Sequence, residues 1–247
     1  MKEMKRTSIA LLLLFAAACS KQPSNGDGSG FVSLSLSPDN QVAEITKGNV
    51  SDYTALPSTS DFNLVIKNSS SEQIFTGKVS EWNSGTPLTA GTYSVSASYG
   101  EEGVEGFDKP YFAGNTSFEI VGGKTTSVSV PVALANAIVK VVRTEAFNNY
   151  YVDSNFKVTT GNGNVINFPK TQTGGAFVDA YRFSVSGTVT SQSGRVSQFN
   201  DVDYNSVDAA TCYTLKFDVS NVGSTSITIS FDDTTVEVPL SDIELNE

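Results

Sequence analysis

This 247-residue sequence predicts an all-β protein built from two tandem antiparallel β-sandwiches. Three observations carry that expectation. Past residue 18 the chain holds 36 Val or Ile against 9 Leu; β-branched side chains lose rotamer freedom in helices and pack well on a pleated surface. Ser and Thr number 57, while charged residues are 17% of the chain, well under the roughly 25% usual in soluble domains. Apolar and polar positions alternate with period two. Val32, Leu34 and Leu36 alternate with serines, as do Tyr93, Val95, Ala97 and Tyr99; Ile227, Ile229 and Phe231 repeat the pattern near the end. One dry and one wet face per strand is the signature of antiparallel sheets. No stretch of 12 residues keeps a helical period, which excludes a helical bundle and argues against a doubly wound α/β fold.

The first segment reads as an address. Lys2, Lys5 and Arg6 precede an apolar run from Ile9 to Ala17, too short to span a bilayer but suited to a secretory signal. It ends Ala16-Ala17-Ala18-Cys19, which resembles a bacterial lipobox although that pattern prefers Leu where Ala16 stands. The resemblance implies cleavage of residues 1–18, lipidation at Cys19 and firm anchoring by two or three acyl chains. Ser20 follows the cysteine, which favours sorting to the outer membrane. Residues 19–30, with the run KQPSNGDGSG, read as a flexible tether.

Loss of residues 1–18 removes three positive charges and one negative from the formal −10, leaving −12. A surface so acidic repels nucleic acid and anionic lipid headgroups. The other cysteine, Cys212, lies in the alternating run CYTLKF and is expected to be a buried structural thiol.

The mature chain reads as two related halves, 31–134 and 135–247. Turn signals at Gly122-Gly123, Asn162-Gly163, Ser193-Gly194 and Asp232-Asp233 separate the strands. Phe62-Asn63-Leu64 matches Phe156-Lys157-Val158, Tyr93 to Ser96 matches Phe183 to Ser186, and Ser117 to Val130 lies over Lys216 to Ile229. Blocks that match in order point to a duplication.

Chemistry is sparse. The chain has no histidine, which removes His-based catalysis and His-ligated metals. Ser154-Asn155-Phe156-Lys157 matches S-x-x-K, yet on a strand residues three apart face opposite ways. Glu101, Glu102, Glu105 and Asp108 form one acidic loop and Asp201, Asp203 and Asp208 another. The run from Asp201 fails as an EF-hand, because Ser206 stands where Gly is needed and Cys212 where the bidentate Glu belongs. Solvated loops are preferred to a calcium site, and no cofactor is expected. Trp82 reads as core rather than ligand platform. Phe107, Tyr111, Phe112, Tyr150 and Tyr151 fall in expected loops, where aromatics either plug a sandwich end or form a sugar-binding face. Tyr111, Phe112, Tyr150 and Tyr151 are the candidate ligand-binding residues.

The lipobox, the run Leu88-Thr89-Ala90-Gly91-Thr92-Tyr93-Ser94-Val95, the loop Pro110-Tyr111-Phe112-Ala113-Gly114 and the strand pair Phe118 to Val130 with Ala133 to Ala137 after it form one set. Together they resemble a Bacteroidetes lipoprotein family of uncharacterised function with tandem transthyretin-like sandwiches. That family is similar in build to fimbrillin-like proteins, some of which polymerise into pili by donating a strand to a neighbour's sheet. Polymerising fimbrillins are cut at an arginine early in the first domain, whereas no arginine lies between Cys19 and Arg143 here. The resemblance therefore implies a permanently lipidated anchor or an adhesin: a non-enzymatic, outer-membrane, surface lipoprotein of cell adhesion. Its partners would be the membrane through Cys19 and other fimbrial subunits or a host or glycan ligand. A glycan-binding lipoprotein of a polysaccharide-uptake system is the alternative, and a periplasm-facing orientation stays open.

Overall fold

The structure is a computed structural model and describes residues 28–43, 48–219, 226–231 and 234–242. Cys19 and the signal segment lie outside the described residues, as does the Asp232-Asp233 turn. In chain order the first half carries β1 (Ser29–Asp39), β2 (Gln41–Val42), β3 (Gly48–Asn49), β4 (Asn63–Asn68), β5 (Gln73–Lys78), β6 (Leu88–Thr89), β7 (Gly91–Tyr99), β8 (Gly106–Phe107), β9 (Phe112–Ile120) and β10 (Thr125–Leu134). The second carries β11 (Asn136–Arg143), α1 (Glu145–Tyr150), β12 (Tyr151–Thr160), β13 (Val165–Pro169), β14 (Ala176–Asp179), β15 (Phe183–Ser191), β16 (Val196–Tyr204), β17 (Cys212–Val219), β18 (Ser226–Phe231), β19 (Thr234–Pro239) and β20 (Ser241–Asp242). The all-β expectation holds. The expected tether is shorter than proposed, because Ser29 and Gly30 already pair with Thr89 and Leu88.

In the first half the hydrogen-bonded order is β5-β4-β7-β9-β10-β1-β6. The ladder turns a corner between β9 and β10, which pair only at Ala113↔Ala133 and Phe112↔Leu134. Gly114 sits at that corner, where any Cβ would overlap the Pro131 carbonyl. Past the corner β10 runs parallel to β1, from Phe31↔Thr125 to Asp39↔Ala133. Alternate residues of both layers, among them Val32, Leu64, Val95 and Val130, meet in one core. The hairpin turns form as the sequence suggests, with Gly123, Gly163 and Gly194 at φ 71°, 84° and 84°, a conformation that favours glycine.

The second half repeats this plan. β13-β12-β15-β16-β20 faces β19-β18-β17-β11-β14-β8, and β11 runs parallel to β17 as β1 does to β10. By topology β4–β5 corresponds to β12–β13, β7 to β15, β9 to β16 and β10 to β17. Two of the sequence matches fall on these pairs. The third, Ser117 to Val130 on Lys216 to Ile229, is one strand out of step: it lays β9–β10 over β17–β18, a hairpin the first half lacks among the described residues. Both segments alternate identically, so the pattern alone could not set the register. The core here is aromatic. Phe156 and Phe217 stack at 3.7 Å and 8°, with Phe147 and Phe199 packed around them.

The two cores touch. Ala137, Val139 and Val141 face the second core, while Ile138 on the other face of β11 joins Phe177 and Cys212 in the first. Cys212 is buried, as expected. In the opposite direction, the β7–β9 loop sends β8 to pair with β14, Phe107↔Ala176 and Gly106↔Phe177. Phe107 then meets Phe168 edge to face at 5.1 Å. Glu105, beside it, accepts hydrogen bonds from Asp179 N at 2.8 Å, Thr160 Oγ1 at 2.6 Å and Asn164 Nδ2 at 2.7 Å. Of the acidic loop expected to be solvated, Glu105 is therefore a structural clamp. Asn136, 1% exposed, accepts from Tyr111 N through its side chain and from Ala210 N at 2.8 Å through its carbonyl.

Among the described residues two buried side-chain atoms lack a hydrogen-bond partner, Asn155 Oδ1 and the Tyr204 hydroxyl. Tyr204 is 9% exposed, and its hydroxyl has no hydrogen-bond partner. Burial pushes its pKa up to about 12 from an ordinary 10, so the fold favours the neutral phenol. The associated stability is complete below pH 10 and is lost as pH rises towards 12. Tyr204→Phe should raise stability by about 1 kcal/mol, roughly 2–4 °C in Tm. It should also flatten the loss of stability between pH 10 and 12 in thermal melts across that range.

Candidate binding surfaces

The structure separates the four candidate aromatic residues. Phe112 is 1% exposed and packs edge to face with Phe62 in the first core. Tyr151 is 4% exposed and packs against Phe147 in the second. Neither ring presents a face to solvent, so the expectation of ligand stacking fails for both. The cause is local: Tyr151 opens β12, and the expected loop Asn148 to Tyr151 is the end of α1 plus the strand's first residue. Thr144 caps that helix, accepting from Phe147 N at 3.1 Å and donating to Asp218 Oδ1 at 2.7 Å. This cap swings Phe147 into the core. Tyr150 is half-buried against Tyr151. Tyr111 is half-buried at the junction, and burial, with Glu102 adding to it, raises its phenol pKa.

The S-x-x-K pair is split as strand geometry requires. Ser154 is buried and accepts from Arg143 Nε at 2.8 Å, whereas Lys157 is exposed on the other face of β12. Among the described residues no three carboxylate or cysteine side chains are grouped to hold a metal. Trp82 packs on the first core edge to face with Phe75.

Two surfaces stand out among those a partner can reach. The first is an aromatic residue the sequence reading passed over. Tyr181, 64% exposed, projects from the turn between β14 and β15 with the Arg182 guanidinium 5.6 Å from its ring centre. Gly161 permits this, since a Cβ there would sit 2.7 Å from the Tyr181 ring. Beside the turn, Asn162 Nδ2 donates to Asp179 Oδ2 at 2.6 Å. The available signal was an aromatic at the break between two alternating runs.

The second surface is the outer edge of β1. Phe31 N donates to Lys124 O at 2.8 Å, so the odd-numbered backbone groups of β1 face β10 and the even-numbered ones face away. β6 covers that outer side only at Ser29 and Gly30. Trp82 Nε1 closes the Val32 carbonyl at 3.4 Å. Among the described residues, Leu34 and Leu36 pair with β10 alone and have no strand on this outer side, and both side chains are only half-buried. Several other edges carry guards, Pro169 on β13, Pro239 on β19 and the two-residue strands β6, β8 and β20, whereas β5 has none.

A family model described as a domain of unknown function (DUF4493) matches residues 28–247. The chain belongs to that family. No curated protein matches it. Among solved structures it is similar to a protein of Bacteroides thetaiotaomicron provisionally named for polysaccharide binding (10% identity, 88% of this chain and 99% of that one, TM-score 0.47). It is also similar to a fimbrial assembly protein of Parabacteroides distasonis (8% identity, 73% and 91%, TM-score 0.46). A third, from Bacteroides eggerthii and provisionally named for cell adhesion, is 11% identical over 89% of this chain and 99% of that one, with TM-score 0.45. These values carry no argument about activity.

Burial separates structural from surface aromatics in a way stability can read. Phe112→Ala and Tyr151→Ala should each cost about 3–5 kcal/mol, while Tyr181→Ala should stay within about 0.5 kcal/mol. Urea unfolding of the three variants checks this.

Proposed function

We propose that this chain is a non-enzymatic lipoprotein of the outer membrane, anchored at Cys19 and displayed at the cell surface. There it acts in adhesion or as a fimbria-associated subunit. The observation that carries the reading is the outer edge of β1 at Leu34 and Leu36, where half-buried leucines lie beside backbone groups that no second strand pairs among the described residues. An extended segment of a partner adds to such an edge through main-chain hydrogen bonds, with side chains lodging against the half-buried leucines. The lipobox and the acidic mature surface support the location, and the separation of Ser154 from Lys157 supports the absence of hydrolysis.

A glycan-binding role in polysaccharide uptake is the second reading, and Tyr181 favours it. An exposed ring among Arg182, Asn162 and Asp179 offers the stacking face and polar rim that sugars use.

The edge is testable with the ladder between β1 and β10 kept. Leu36→Pro removes an N–H that faces away from β10, so the ladder to Pro131 and its neighbours is untouched. Cells carrying this variant at normal protein level should lose adhesion by tenfold or more, together with the adducts formed by a photo-crosslinker placed at Leu34. Unchanged adhesion and adducts would reject the edge as the site of engagement.

A further inference from the structure

We propose that the cleft beside Arg143 binds the carboxylate or sulfate group of an acidic saccharide. Lys140 and Arg143 of β11, Lys170 after β13, Asn148 of α1 and Thr173 line a cleft of about 420 Å³, within the usual range for small-ligand sites. It opens because β14 pairs with β11 only as far as Val139↔Ala176, leaving Lys140 to Arg143 with β17 on one side alone.

Arg143 and Lys170 line this cleft in a chain of net charge −10 and have neutral partners, while Lys140, three residues from Arg143 on β11, lies on that strand's other face at the rim. Arg143 donates from Nε to Ser154 Oγ at 2.8 Å and from Nη2 to the Phe168 carbonyl at 2.7 Å. Its guanidinium carbon lies 4.8 Å from the centre of the Phe156 ring. Lys170 Nζ donates to the carbonyls of Tyr151 and Val152, both at 3.0 Å. No carboxylate pairs with any of the three cations among the described residues. Asp153 acts on Arg143 through space, and burial outweighs it, lowering the Arg143 pKa. Holding a partly desolvated guanidinium against neutral groups is unfavourable until an anion supplies charge-assisted bonds. The donors for it remain, since a guanidinium offers five N–H groups and an ammonium three.

The rest of the lining selects the class of anion. Thr173 and the amide oxygen of Asn148, whose Nδ2 donates to the Arg143 carbonyl at 3.3 Å, suit hydroxyl groups. The acidic surface around the cleft repels a long polyanion such as nucleic acid, but that field is screened beyond about 8–10 Å, so a short acidic saccharide can enter. The cleft shares no residue with the β1 edge or with Tyr181, so this proposal and the proposed function stand or fall separately.

The test uses the folded chain from residue 28, in NMR titrations with four probes: a galacturonate hexamer, a neutral maltohexaose, sulfate alone and an aspartate hexamer. The uronate should bind with Kd below about 1 mM, at least tenfold tighter than the other three. Lys170→Gln, at a half-exposed residue of the lining, should weaken uronate binding tenfold or more while the NMR spectrum stays that of the folded chain. Arg143→Lys should weaken it while keeping the net charge. Sulfate binding as tightly as the uronate would reduce the cleft to a simple anion site. Tighter aspartate binding would make it a peptide site. Absent uronate binding, or binding unchanged by Lys170→Gln, would reject it altogether.

Discussion

Ile138, Phe177 and Cys212 turn away from the second core and are buried all the same, because the first half packs over them. A sheet covered on one face needs an alternating sequence; a sheet covered on both needs a continuous apolar one. β11 and β14 meet the second demand with Ala137-Ile138-Val139 and Ala176-Phe177-Val178, buried at every position. Fully burying an Ile or Phe side chain stabilises by about 1.5–3 kcal/mol. The polar groups enclosed by this contact are then obliged to find partners. Asn136 and Glu105 answer that obligation, each linking backbone or side chains of one half to the other. The exchange of β8 and Phe107 into the second sheet fastens the same contact from the opposite direction.

Much of the fold was legible because it rests on period two. Alternation placed most long strands, the glycine turns fell where positive φ is needed, and Cys212 was rightly read as buried. What alternation could not convey was depth. Phe112 lies between Pro110 and Gly114 and Tyr151 just after Asn148-Asn149, so they read as loop aromatics; the first begins β9 and the second begins β12, both facing inward. Glu105 reads as one more acid in a Gly-rich loop, and only the approach of Thr160, Asn164 and Asp179 from the other half gives it a structural role. The shifted match of the third repeat block has the same origin, since any two Ser-rich alternating strands superimpose.

The binding surfaces follow from how the edges are closed. Short strands, prolines and the Trp82 indole guard most of the open ladders, and such guards work against uncontrolled strand pairing. The stretch of β1 at Leu34 and Leu36 is left open among the described residues, as are the outer side of β5 and the end of β11. Tyr181 is held outward by the turn before β15, whereas the cationic cleft exists because β14 stops short of the end of β11. Each surface is thus a consequence of where pairing ends, not of a separately constructed pocket. The contact between the two sandwiches fastens the elements that carry these surfaces to one another.

Display outside the cell is the claim on which the adhesive reading rests most directly. Protease shaving of intact cells, followed by blotting for the folded halves, measures it. The account predicts loss of the signal while a periplasmic marker in the same cells stays intact. Full protection of the chain under those conditions would place it inside the outer membrane and contradict surface adhesion.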